Sequence, residues 1–257
     1  MSLIYVPKGR AREYAPLGLN LTEGICPHGC RYDGEMCYAN RLWTRFHADR
    51  ADLPLTPKPD VLEHLEKEAA KLAGDPRPIH MSFTGDCYPV GRPDLWALTR
   101  EALTILRAHG LHWQMLTKGG LAACEDLDLY RPGDWFGVTL TNFTGWVQEQ
   151  WEPNAAPTYE RMDALSEARN QGISTWVSAE PILRPRDIIW GIVNMSKVDL
   201  WRIGIAKPPL PGLIVDWPQF GRDLADVLTE TGAHWYIKHT LRPYMPEGFA
   251  MSTEEAP

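Results

Sequence analysis

Seven short apolar, β-rich runs recur along the chain, at 17–23, 79–84, 112–117, 135–141, 173–179, 199–205 and 234–238. Segments of helical period separate most of them. From Asp60 to Ala73, the residues Val61, Leu62, Leu65, Ala69 and Leu72 fall on one face. From Asp94 to His109, Leu95, Leu98, Ala102, Leu103, Ile105 and Leu106 do the same. A third segment, Tyr159 to Gln171, carries Met162, Leu165 and Ala168 and stops at Gly172; a fourth, Trp217 to Thr231, stops at Gly232. Both glycines suit the left-handed residue that closes a helix. Strands alternating with helices through short connections require a parallel sheet with right-handed crossovers. The fold class expected is therefore α/β, a partial or complete parallel (β/α) barrel. Periodicity does not say whether a sheet closes, so a doubly wound open sheet is the alternative.

A barrel of 257 residues needs no second domain, and no linker, low-complexity stretch or repeat divides the sequence. The expectation is one domain over 1–257, with an end frayed from about Pro246. No apolar run approaches the length of a membrane span, and the first residues lack the apolar core of a signal peptide. This places the protein in the cytoplasm and away from membranes.

In parallel α/β folds the carboxyl ends of the strands open onto one crevice, where ligands bind. Here Thr84 and Asp86 follow the second run and Thr117-Lys118 the third; Thr139, Thr141 and Asn142 end the fourth, Ser178 and Glu180 the fifth. Lys207 follows the sixth run and Lys238-His239 the seventh. Any one of the Thr, Ser, Asp or Asn residues could serve only to cap the next helix. Six successive polar ends point to a site.

Three of the five cysteines lie within twelve residues, in Gly24-Ile-Cys26-Pro-His-Gly-Cys30-Arg-Tyr-Asp-Gly-Glu-Met-Cys37-Tyr-Ala, directly after the first run. In a cytoplasmic chain such clustering argues for metal rather than disulfides. Three thiolates can hold three irons of a cubane cluster and leave the fourth open. Gly29 and Gly34 would let the loop curl around it. A zinc site would need a fourth ligand, from His28 or His47; three plain buried thiols are the remaining alternative. Cys124, in a polar helical segment, reads as structural, and most of the eleven tryptophans read as core or barrel-wall residues. The net charge of −7 lowers the prospect of gripping long duplex DNA by charge alone. It leaves room for a local basic patch from Arg41, Arg45, Arg50 and Lys58, which could equally be a solvated helix face.

The stretch Asn20-Leu-Thr-Glu-Gly-Ile-Cys26 through Cys37-Tyr38-Ala39 resembles the cluster loop of the radical S-adenosylmethionine superfamily. Met115-Leu-Thr-Lys118, Trp135 to Thr141, Trp176 to Leu183 and Ala233 to Lys238 extend the resemblance over most of the chain. Within the superfamily it looks like the spore photoproduct lyase and DNA repair photolyase branch, and it is also similar to a phage-associated three-cysteine-motif family. That branch typically shows Cys-x3-Cys-x2-Cys-Tyr-Ala. Here six residues separate Cys30 from Cys37, as though Asp33-Gly-Glu-Met36 were inserted.

The resemblance implies an enzyme whose 4Fe-4S cluster is held by Cys26, Cys30 and Cys37 in a loop at 24–40. S-adenosylmethionine would close the fourth iron and be cleaved reductively to a 5′-deoxyadenosyl radical that abstracts hydrogen. Thr84, Gly85 and Asp86 would meet the methionine amino group and Lys118 its carboxylate. Thr139 and Thr141 fall where the ribose is met, Ser178 and Glu180 border the pocket, and Tyr38 packs on the adenine. Cys87 would be a catalytic hydrogen-atom donor, with a small buried thiol as the alternative. The implied substrate is a nucleobase, nucleotide or DNA, in repair or modification, and an electron donor such as flavodoxin or ferredoxin is implied as partner. A small-molecule or peptide substrate is the alternative within the class. Outside it stands a non-catalytic zinc-binding regulatory or nucleic-acid-binding protein.

Overall fold

A computed structural model describes residues 2–31, 37–195, 197–206 and 213–253. Lys207 and the Asp33–Met36 insertion, with Gly34, lie outside the described residues. The strands are β1 (Ile4–Tyr5), β2 (Leu17–Leu19), β3 (Thr22–Glu23), β4 (Thr56–Pro57), β5 (Ile79–Met81), β6 (Trp113–Met115), β7 (Trp135–Thr139), β8 (Ser174–Ala179), β9 (Leu200–Ile203) and β10 (Trp235–Ile237). The helices are α1 (Tyr38–Phe46), α2 (Val61–Lys71), α3 (Pro93–Ala108), α4 (Gly145–Trp151), α5 (Thr158–Asn170), α6 (Pro185–Asn194) and α7 (Trp217–Thr231). All seven apolar runs carry strands.

One eight-stranded sheet runs in the order β1-β2-β5-β6-β7-β8-β9-β10. Every pair in it is parallel except β1 with β2; β3 and β4 form a separate antiparallel ladder. Among the described residues no ladder joins β10 back to β1 or β2, so the barrel is partial.

A parallel sheet covered by helices on both faces would read as unbroken apolar runs. These strands alternate instead. Ile79, Met81, Trp113, Met115, Phe136, Val138, Val177, Trp201 and Ile203 belong to the core shared with the helices. The residues between them, His80, Gln114, Thr139, Ser178 and Arg202, with Lys238 just past β10, are polar yet buried. Period two puts them on the opposite, concave face. The helices cover the outer face: Leu103 and Leu106 of α3 and Leu224 and Leu228 of α7 are fully buried, each worth about 1.5–3 kcal/mol.

The two sheet edges are managed by the N-terminal segment. The Glu68 carboxylate of α2 accepts from the backbone N–H of Leu3 at 2.9 Å and of Ile4 at 2.8 Å, which fixes the two-residue edge strand β1. The chain then crosses the open seam as a 3-10 turn, Gly9–Glu13. Glu13 Oε1 accepts from the His239 amide at 2.7 Å and from the Tyr236 hydroxyl at 3.3 Å. Arg202, projecting from β9, donates to the carbonyls of Glu13 and Tyr14.

The expected fraying from Pro246 does not hold through Thr253. The Ile237 amide donates to the Met251 carbonyl at 2.7 Å, and Phe249 stacks on Trp235 at 5.3 Å between centroids. Phe249 and Met251 are a short apolar pair that anchors against β10. Nearby, α7 approaches the chain so closely that a Cβ at Gly221 would lie 1.9 Å from the Tyr244 carbonyl oxygen. Among the described residues no helix is long and apolar enough to cross a membrane.

Candidate active site

A cavity of about 400 Å³ opens where the carboxyl ends of the parallel strands gather. Cys26, Cys30 and Cys37 all line it. Gly24 starts this arrangement. Its φ of +106°, and the 2.5 Å that would separate a Cβ there from the Pro54 carbonyl, admit only glycine. The chain then runs along 53–55, with the Ile25 amide donating to the Leu53 carbonyl at 2.8 Å, and turns Cys26 into the cavity.

Helix α1 ties the three cysteines together. Asn40, buried in its first turn, accepts from the Cys26 amide at 2.9 Å and donates to the Cys26 carbonyl at 3.2 Å. Cys37 caps the same helix, and its amide donates to the Cys30 carbonyl at 2.6 Å. The end of α4 clamps the loop from the other side. The Trp151 carbonyl accepts from the Arg31 amide at 2.9 Å, and Asn154 Nδ2 donates to the Pro27 carbonyl at 3.0 Å. Burial, and after it the charge of Asp86, raises the pKa of the Cys26 thiol; burial also pushes Cys30 up to about 12 despite the pull of Lys118. A cation that binds there must displace thiol protons. Among the described residues, no trio of His, Cys, Asp or Glu side chains converges tightly enough to grip a metal ion.

Beneath the cysteines, Glu152 is fully buried. Arg161 Nη1 donates to it at 2.6 Å and Lys118 Nζ lies 4.0 Å away. Arg161 also donates to the carbonyls of Ala156 at 2.8 Å and Thr139 at 3.0 Å. Burial raises the Glu152 carboxyl pKa, opposed by Arg161. Lys118 thereby enters the cavity with its ammonium held near a carboxylate.

Thr84, Gly85, Asp86, Lys118, Thr139, Ser178, Glu180 and Tyr38 line the same cavity. Asp86 is heavily engaged by the protein. It accepts from Thr117 Oγ1 at 2.6 Å, the Lys118 amide at 2.7 Å and the Tyr88 amide at 2.9 Å, so it braces the end of β5 against that of β6. His28 Nδ1 lies 3.6 Å from Asp86, and His28 Nε2 accepts from the Val90 amide at 3.4 Å. Burial, with Lys118 and Arg161, lowers the His28 pKa to about 4, against the pull of Asp86.

A second group of side chains gathers around Lys238. Its ammonium pairs with Glu180 and sits 3.4 Å from the centre of the Tyr14 ring. The Tyr14 hydroxyl donates to Glu180 at 3.0 Å and lies 3.3 Å from Ser178 Oγ. His80 packs against Tyr14 and Phe83, with centroids 5.1 and 4.3 Å away, and its buried Nδ1 has no hydrogen-bond partner among the described residues. Burial first, then Arg202 and Lys238, keeps the imidazole neutral. The Tyr38 hydroxyl donates to the Phe83 carbonyl at 2.8 Å and links this group to the cysteine loop. Tyr14, His80 and Asn40 are site residues the sequence did not announce. His80 alone left a signal, as a polar residue inside an apolar strand.

Two expected residues do not line the cavity. Thr141 is buried beyond the end of β7, its hydroxyl accepting from Asn142 Nδ2 at 3.1 Å. Cys87 belongs to the hydrophobic core, its carbonyl accepting from Thr99 Oγ1 at 2.9 Å; burial raises its thiol pKa. In this structure the Cys87 thiol stands in the core rather than at the cavity, as its alternative reading as a small buried thiol expects. The four-residue basic patch also divides. Arg50 pairs with Glu23 at 3.2 Å and Lys58 Nζ donates to the Asn20 carbonyl at 2.7 Å; Arg41 and Arg45 lie on α1, and both are exposed. His47 stacks on Trp43 at 3.9 Å.

No family model matches the chain. A stretch of 157 residues is 26% identical to an uncharacterized protein of Methanocaldococcus jannaschii; it covers 60% of this chain and 58% of that protein, less than two thirds of the relative's length. Among solved structures, spore photoproduct lyase complexed with dinucleoside spore photoproduct is similar, with a TM-score of 0.62 and 15% identity over 91% of this chain and 79% of that one. A double mutant of that lyase, with bound AdoMet and dinucleoside spore photoproduct, gives 0.60 and 16% over 88% and 76%. Methylornithine synthase gives 0.51 and 13% over 93% and 75%. At such identities the likeness is one of fold: the chain shares its partial parallel barrel with spore photoproduct lyase and methylornithine synthase.

Proposed function

We propose that the protein is a radical S-adenosylmethionine enzyme acting on a nucleobase or nucleotide, free or within DNA. The observation that carries this is the cysteine trio. Three cysteines line one strand-end cavity, and their backbones are tied to each other and to α1. Three soft sulfur donors suit an iron–sulfur cluster with one iron left for a chelating ligand. A fourth protein ligand for zinc has little support, since His28 faces Asp86 and the Val90 amide while His47 stacks on Trp43.

When bound, the cluster would supply the electron that cleaves S-adenosylmethionine to methionine and a hydrogen-abstracting 5′-deoxyadenosyl radical. The chain's own residues do the placing. Lys118 offers an ammonium to a carboxylate as a point partner. Thr84 and Thr139 offer hydroxyls at the ends of β5 and β7, on either side of β6, and the Tyr38 ring roofs the cavity. The Lys238 group is suited to the substrate. Lys238 is a donor, Glu180 and the neutral His80 can accept, and the rings of Tyr14 and Phe83 are flat walls for a planar heterocycle. These aromatic walls also exclude water from a reactive centre. Spore photoproduct lyase has been captured with both AdoMet and a dinucleoside, which supports a nucleotide substrate here. The similarity to a phage-associated family keeps nucleic-acid modification within this reading. A cytoplasmic protein of this kind would draw electrons from a reduced flavodoxin or ferredoxin.

The test is anaerobic reconstitution followed by incubation with S-adenosylmethionine and dithionite. A brown protein that dithionite bleaches, and that releases 5′-deoxyadenosine, is expected; Cys30→Ala should lose both properties. A colourless zinc-loaded protein, or undiminished cleavage by Cys30→Ala, overturns the proposal.

A further inference from the structure

Beyond Tyr38, helix α1 carries a surface that the cavity chemistry does not use. Its sequence, Tyr38-Ala-Asn-Arg-Leu-Trp-Thr-Arg-Phe46, holds two arginines and no acidic residue, in a chain whose net charge is −7. Ala39 and Asn40 face inward, whereas Tyr38, Leu42 and Phe46 are 52%, 41% and 70% exposed. Four-residue spacing stacks these three along one outward stripe. Arg41 and Arg45 are exposed beside it, and the Arg45 guanidinium lies 5.6 Å from the Phe46 ring centre.

Single exposed apolar residues are ordinary, but a contiguous stripe marks an interaction surface. This one runs onto the rim of the cavity, because Tyr38, Arg41 and Leu42 also line it. So do Lys8 and Arg10, from the segment that crosses the barrel seam. The rim is thus basic from two separate parts of the chain, with flat apolar groups between the charges. Cations interleaved with stacking surfaces match a strand whose phosphates and unpaired bases are both accessible. A duplex would offer this stripe phosphates without free base faces.

We propose that α1 and the Lys8–Arg10 segment dock single-stranded nucleic acid, with bases against Leu42 and Phe46 and phosphates at Arg41 and Arg45. One nucleotide of the strand then enters the cavity. The inference rests on the nucleotide-directed reading above and adds that the substrate is polymeric. It also reconciles an acidic chain with a nucleic-acid partner, since basic residues from two parts of the chain meet at the mouth.

The experiment is fluorescence anisotropy of the reconstituted protein with a short fluorescein-labelled oligodeoxynucleotide of mixed sequence, over a range of salt. Binding should weaken with salt, at a logarithmic slope of about −0.7 for each phosphate contact. Arg45→Glu should weaken binding and flatten that slope by about one such contact. Phe46→Ala should weaken it about 5- to 100-fold, as expected for loss of one stacked base. Both variants should release 5′-deoxyadenosine at the wild-type rate with dithionite and no oligonucleotide, which shows that they fold and load. Salt-insensitive binding, or wild-type binding by both variants, overturns the proposal. It is also overturned if Arg45→Glu binds the oligonucleotide normally and loses turnover only when reduced flavodoxin replaces dithionite, because α1 would then serve an acidic electron carrier. Failure of the wild-type protein to cleave S-adenosylmethionine counts against the chemistry and not against the docking surface, which the anisotropy measures separately.

Discussion

Replacing Asn40 with alanine removes the only side chain seen to hold the Cys26 backbone at both its amide and its carbonyl among the described residues. Each hydrogen bond contributes about 1 kcal/mol net, and a buried partner left unpaired costs about 1–3 kcal/mol. Cys26 is only partly covered, so water can reach one of the two orphaned groups. Alanine recovers a few tenths of a kcal/mol as the better helix former. The balance is a loss of about 2 kcal/mol. For a domain of this size that lowers the melting temperature of the cluster-free protein by about 4–8 °C. The larger effect should be on assembly. Without the tie, the Cys26 backbone loses its anchor to α1, and iron bound per chain after reconstitution should fall. Asn40→Asp keeps the acceptor for the Cys26 amide and should recover part of both losses. The assays are anaerobic thermal unfolding and iron and sulfide analysis. An Asn40→Ala protein that melts with the wild type and retains its full iron would refute the claim that α1 gathers the cysteines.

Arg161→Met should cost about 3–5 kcal/mol in urea unfolding, because Glu152 would stay buried with Lys118 4.0 Å away as the nearest cation; Arg161→Met with Glu152→Met should recover most of it, and no recovery would mean that the Arg161 contacts to carbonyls matter more than the ion pair. His80 is held neutral, with a pKa well below the ordinary 6.5. The unfolded chain therefore takes up a proton that the folded one refuses, and this contribution, complete above pH about 6.5, is lost at about 1.4 kcal/mol per pH unit as pH falls below it. The melting temperature of His80→Gln should fall less steeply than that of the wild type over this acid range, and parallel profiles would sink the assignment. Cys87→Ala should leave 5′-deoxyadenosine release and the product pattern unchanged while costing about 1 kcal/mol of core packing; a changed product would return Cys87 to the chemistry.

The elements legible in the sequence are those whose burial is one-sided and repeated. Helices α2, α3, α5 and α7 each turn an apolar stripe toward the sheet, and the strands show their outward residues as apolar runs. Helix α1 was legible only as a possible solvated face, because Leu42 and Phe46 are exposed, Tyr38 reaches over the cavity to the Phe83 carbonyl, and its inward face is Ala39 and Asn40. Strand β1 is two residues held by Glu68 from sixty-odd positions away, which no local pattern records. At the site, the rule that strand ends gather placed Thr84, Lys118, Thr139, Ser178 and Glu180 around one cavity. It failed for Thr141 because β7 ends at Thr139, and beyond the ladder the alternation of side chains no longer applies. It failed for Cys87 because Asp86 accepts from the Tyr88 amide and so turns the chain, carrying the thiol into the core.

The polar concave face has a consequence for how barrel and site depend on each other. Arg202 and Lys238 are almost fully buried, and a buried cation is tolerated only with partners. Lys238 finds Glu180 and the Tyr14 ring, while Arg202 finds the carbonyls of Glu13 and Tyr14 and the amide oxygen of Gln114 at 3.4 Å. Glu13 and Tyr14 belong to the segment that crosses the seam between β1 and β10. The contacts that close an incomplete barrel are therefore the same ones that orient Tyr14 and Lys238 in the cavity. A sheet with an apolar concave face could close by collapse, but it would leave no donors and acceptors for a ligand. Here closure proceeds through hydrogen bonds from β9 and β10 to the N-terminal segment, so the groups facing the ligand are fixed by the same step that seals the fold.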